Sequence, residues 1–107
     1  MRDLLAEVAA GLPGVDAVTG PGGEVIWSRA GRPFAALAGD VDLGDAMVAA
    51  GFDLEPVVAA AAIRTPDVVP SDRGPGWVTF RPALLDAHAA DRAAAWFVSA
   101  HRRASRD

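Results

Sequence analysis

The sequence predicts an α+β fold: an antiparallel β-sheet of four to six strands with N- and C-terminal helices packed on one face. Three observations lead there. Short β-rich runs fill the middle of the chain, separated by turns such as Gly20-Pro21-Gly22-Gly23 and Gly74-Pro75-Gly76. Near the C-terminus, Leu85, Ala89, Ala93, Trp96, Phe97 and Ala100 recur at helical spacing. Near the N-terminus, Leu4, Leu5, Val8 and Leu12 do the same. Helices at the ends with strands between them bury their apolar faces best as helices laid on one sheet face.

Taken in order, Arg2 to Ala10 reads as a helix with Arg2, Asp3 and Glu7 opposite its apolar side; Gly11 ends it and Pro13-Gly14 prevents continuation. Val15 to Thr19 is a first short strand. Glu24 to Ser28 is a second, with Val25 and Trp27 on one face and Ile26 on the other. Arg29-Ala30-Gly31-Arg32 makes a hairpin tip, and Pro33 to Ala38 returns as its partner, with proline confined to the strand start or a free edge. An acidic connection, Gly39 to Asp45, leads to a strand from Ala46 to Phe52. Asp53 is the expected N-cap of a helix from Leu54 to Ile63, which Thr65-Pro66 ends. Thr65 to Gly76 reads as a long surface loop with three prolines, Pro66, Pro70 and Pro75. Gly74-Pro75-Gly76-Trp77 fits a type II turn, and a strand from Trp77 to Phe80 leads to the last helix.

The chain has 107 residues and reads as one domain, 1–107. Hydrophobic residues make up 51%, enough for a packed core. No run approaches the ~18 apolar residues of a membrane span. No basic segment followed by a long apolar block opens the chain, so no signal peptide is expected. Absence of cysteine removes thiolate chemistry and Cys-ligated zinc, and fits a cytoplasmic protein. All ten basic residues are arginine, so no lysine is available for a Schiff base. Formal net charge is −4, against a strong non-specific nucleic-acid binder. Yet residues 81–107 hold five Arg against three acids, with Arg102, Arg103 and Arg106 complementing a helix C-terminus.

Leu12-Pro13-Gly14-Val15 after a first helix, Gly31-Arg32-Pro33-Phe34-Ala35 on a hairpin, Gly76-Trp77-Val78 on a strand and a closing helix with aromatics resemble the MmcQ/YjbR family. The resemblance covers residues 5–103 and implies a CyaY-like fold related to bacterial frataxin. It also implies DNA binding through paired β-hairpin wings. Where such families often carry Lys beside the Phe-Ala motif, this chain has Arg32-Pro33.

No catalytic residues stand out. His88 and His101 are the only imidazoles, and thirteen residues of helix separate them by several turns, too far to share a ligand. No serine stands in a nucleophile elbow. Asp40, Asp42 and Asp45 have the look of a calcium loop, but position 5 would be Gly44 and position 12 would be Gly51 in place of a bidentate Glu. Frataxin-like iron binding needs an acidic first helix, and only Asp3 and Glu7 are there. No metal and no cofactor is expected. Gly20-Pro21-Gly22-Gly23 lacks the ending of a phosphate loop.

Arginine placement is the feature above background. Arg29 and Arg32 flank the hairpin tip, Arg73 lies at the mouth of the second turn, and Arg64 and Arg81 bracket the same loop. Such groups can straddle a phosphate backbone, and charged tips also keep sheet edges from aggregating. The three tryptophans read as core, with Trp77 or Trp27 alternatively lining a groove between the sheet and residues 65–76. The expectation is a non-enzymatic binding module that contacts nucleic acid or a regulatory complex through Arg29, Arg32 and Arg73. The alternative is a small-molecule binder with a groove under residues 65–76, rimmed by Arg64, Arg73 and Trp77.

Overall fold

The computed structural model describes residues 1–38, 49–71, 73–84 and 86–105. The order is α1 (Arg2–Ala10), β1 (Val15–Thr19), β2 (Val25–Arg29), β3 (Arg32–Ala38), β4 (Ala49–Asp53), α2 (Pro56–Ile63), β5 (Val68–Pro70), β6 (Trp77–Phe80) and α3 (Ala87–Ala104). All six strands form one antiparallel sheet in the order β1-β2-β3-β4-β6-β5. The expected α+β architecture is therefore observed. Residues 46–48 of the expected fourth strand, the 39–45 connection with Asp40, Asp42 and Asp45, and also Leu85 and Arg106, lie outside the described residues.

The register sorts side chains onto two faces. Trp27 pairs with Ala35, Ala35 with Phe52, and Phe52 with Val78, so all four project to one side. Helix α3 packs there: Phe97 meets Trp27 and Phe34 edge-on at 5.3 and 5.2 Å, and Trp96 meets Phe80 at 5.1 Å. Leu5 of α1 and Ala59 and Ala62 of α2 join the same core. The opposite face carries Ile26, Ala36, Gly51 and Thr79, which are paired across neighbouring strands. Trp77 belongs to that face too, with its ring 3.6 Å from the place a Gly51 Cβ would occupy. The core assignment thus holds for Trp27 and Trp96 and fails for Trp77.

A bulge repairs the pattern where β3 begins. Ser28 pairs with Pro33 and Trp27 with Ala35, leaving Phe34 as the extra residue. Strict alternation would turn Phe34 outward; the bulge turns it into the core, where it is fully buried. Pro33 lies beyond the last β4 pair, Ala35 with Phe52, so its missing N–H interrupts no ladder on that side.

Two expectations need correction. Asp53 is the last residue of β4, paired with Trp77, and Leu54 N–H donates to Gly76 O at 2.9 Å. The sheet therefore holds residues that local propensity offered to a helix, and α2 starts at Pro56 behind Glu55. The 65–76 segment is also not structureless. Val68–Pro70 pairs with β6 as a short edge strand, entered through Asp67 at φ 71°. Two adjacent β-branched residues and a β6 edge needing partners outweigh the prolines, of which Pro70 ends the strand.

Candidate functional site

In an antiparallel sheet, alternate strand ends share one side of the molecule. The end of β2, the start of β3, the end of β4 and the start of β6 lie together, and α3 finishes above them. Arg29 and Arg32 face each other as the closing pair of the β2–β3 hairpin. Between them Ala30 and Gly31 both have positive φ, 51° and 80°, as a two-residue type I′ turn requires. This end also carries Arg73, Arg102 and Arg103. A cavity of about 280 Å³ opens between the hairpin tip and the end of α3, lined by Arg29, Ala30, Arg32, Ala104 and Ser105.

Four contacts tie the helix end down here. Arg103 Nε lies 3.4 Å from Asp53 Oδ1, and neither atom has a hydrogen-bond partner among the described residues, so charge alone joins them. The expectation that the terminal arginines only complement the helix end is thus incomplete for Arg103. His101 is buried at 5% exposure, edge-on to Phe34 at 5.5 Å. Its Nε2 is 2.8 Å from Pro13 O and 3.1 Å from Arg29 Nη1. Arg102 is exposed.

The Gly74–Trp77 turn closes with Trp77 N–H donating to Gly74 O at 3.2 Å, and Gly76 takes φ 87°, as a type II turn demands. A Cβ at Gly76 would lie 2.7 Å from Leu54 O and 3.0 Å from Asp53 Oδ1. Glycine here lets β6 and the Asp53 carboxylate approach. Arg73 caps the Trp77 ring, 5.5 Å from its centroid.

The sequence-selected residues therefore separate. Arg29, Arg32, Arg73 and Trp77 share the α3 C-terminal end. Arg64 caps α2, and Arg81 follows β6, with its N–H donating to Asp67 O at 2.8 Å; both belong to the opposite end. Arg64 lines a separate, mainly apolar cavity on α2 with Pro56, Val57, Ala60 and Ala61. A further cavity of about 330 Å³, with Asp67, Asp86, His88 and Arg92 among its lining, also lies at that opposite end. None of these three cavities is lined by Arg73 or Trp77, and Arg64 stands at the other end of the sheet from both.

Sequence reading named His101, Pro13 and Asp53 but gave no hint of the His101–Pro13 and Asp53–Arg103 contacts. Extending the apolar stripe by one step would have marked His101 as buried, since it lies four residues after Phe97 and beside Ala100. Nothing local marks Asp53 and Arg103, fifty residues apart.

Among the described residues, no group of three or more His, Asp or Glu is gathered to hold a metal ion. No helix among them is long and apolar enough to cross a membrane. The chain matches no family model, and no curated protein matches it.

Proposed function

We propose that the protein is a non-catalytic binding module that engages the phosphates of nucleic acid through the Arg29–Arg32 hairpin tip, Arg73 and the end of α3. The observation that carries this reading is that Arg29 and Arg32 pair across the hairpin tip and that Arg73, before β6, and Arg102, at the end of α3, lie toward the same end of the sheet. Guanidinium groups donate to phosphate oxygens in pairs, and a pointed hairpin reaches a groove that a flat face cannot. The resemblance to MmcQ/YjbR proteins supports the same reading, including a CyaY-like fold and membership of that family.

The acidic total charge sets the expected strength. Affinity for duplex should be modest at low ionic strength and fall steeply with salt as counterions are released. Fluorescence anisotropy with a labelled duplex tests this, using wild type and the Arg29→Ala/Arg32→Ala/Arg73→Ala variant. Loss of binding in the variant is the expected result. Equal binding by both proteins, or none by wild type at high protein concentration, removes the proposal.

A further inference from the structure

One nitrogen of His101 faces both a donor and an acceptor. Arg29 Nη1 lies 3.1 Å from Nε2 and Pro13 O lies 2.8 Å from it. A guanidinium nitrogen only donates and a carbonyl oxygen only accepts. Bare Nε2 accepts from Arg29 but sets its lone pair against Pro13 O. Protonated Nε2 donates to Pro13 O but sets its N–H against those of Arg29. The imidazolium cation abolishes the first arrangement, because both ring nitrogens then carry protons.

We propose that His101 is a proton-operated latch on Arg29: the neutral ring with its proton on Nδ1 holds the guanidinium against α3 through Nε2, and the cationic ring bonds Pro13 and releases Arg29 to the hairpin tip. The ring need not move, since both partners already sit at bonding distance from the same atom. As regulation of the phosphate site, this rests on the binding reading above.

The surroundings reinforce the sign. From β2 the ring faces Arg29, and from β3 the uncharged Phe34, with Arg32 across the hairpin from Arg29. Its neighbours on α3 are Arg102, exposed, and Arg103, which Asp53 of β4 occupies. Helix α1 packs on α3 through apolar side chains; its Arg2 donates to Gly23 O, and Asp3 and Glu7 are exposed. Asp16 of β1, paired with Ser28, belongs to the opposite face of the sheet. A proton on the ring therefore adds positive charge beside a guanidinium, and repulsion drives Arg29 outward.

The first test needs no ligand. Nitrogen-15 NMR of the full chain follows the His101 ring and the Arg29 guanidinium in an acid titration begun at about pH 8 and carried through protonation of the ring. The Arg29 signals should change with the His101 midpoint in wild type and in His88→Gln. Arg29 signals that ignore the His101 titration overturn the latch. The second test repeats duplex anisotropy at both pH limits. Wild type should gain about fivefold more affinity on acidification than His101→Gln, the low end of ordinary coupling between sites. An equal gain in both proteins overturns the link to binding. If Arg29 follows His101 but no duplex binds at either pH, the latch stands and the nucleic-acid reading falls.

Discussion

The two ends of the sheet hold similar numbers of arginines and use them differently. At the α3 C-terminal end, Arg29, Arg32, Arg73 and Arg102 surround a hairpin tip and a turn, and the buried Asp53 is taken up by Arg103. At the opposite end, Arg2, Arg64, Arg81 and Arg92 are interspersed with Glu24, Asp67, Asp86 and Asp91. Asp86 there serves the backbone as the N-cap of α3, accepting from Ala89 N–H at 2.9 Å. What distinguishes the ends is where the carboxylates fall and what they are bonded to. Among the described residues, acids are fewer at the α3 C-terminal end, and a local excess of guanidinium groups favours phosphate.

The largest effect should come from the turn that shapes the arginine end. Gly76 and Gly31 both have positive φ, but only Gly76 is crowded. Gly76→Ala should cost about 3 kcal/mol or more, from strain plus overlap with Leu54 O, while Gly31→Ala should cost about 1 kcal/mol. Urea unfolding midpoints measure both, and equal losses would show that β6 does not need that close approach.

Next comes the buried pair. Asp53→Ala leaves Arg103 without its counter-charge, and Arg103 is only partly shielded from water, at 27% exposure. The stability loss should therefore be about 2 kcal/mol, below the range for fully buried pairs. Duplex binding by the folded variant should persist or strengthen, because a further arginine is released. Weaker binding in a folded Asp53→Ala protein would mean that the carboxylate helps build the site.

The ends can be set directly against each other. Removing Arg29, Arg32 and Arg73 should lower duplex affinity by at least about tenfold and reduce the salt slope by about three contacts. Removing Arg64 and Arg81 should change affinity by less than about threefold, within what loss of distant charge produces. Similar losses from both variants would erase the distinction between the ends.

The smallest effect is expected at the far cap. Asp86→Ala should cost about 1 kcal/mol, the usual worth of an N-cap side chain, without altering duplex binding. Thermal unfolding together with anisotropy checks both halves of that statement.

Much of this molecule was determined by local sequence. Helical periodicity placed α1 and α3, and glycine and proline placed the turns, because these signals act within a few residues and need no distant partner. Arg29 and Arg32 were legible as a tip for the same reason: a two-residue turn fixes its flanks. What only the tertiary structure decided depends on strand order and register. Pairing with β6 drew Asp53 and Leu54 into extended backbone and made a strand of Val68–Pro70. The bulge opposite Trp27 and Ser28 sent Phe34 inward, beside His101. Antiparallel order then put Arg73 with Arg29 and sent Arg64 and Arg81 to the other end. Those outcomes are set by non-local hydrogen bonds and packing, which outweigh the small intrinsic preferences of a short segment.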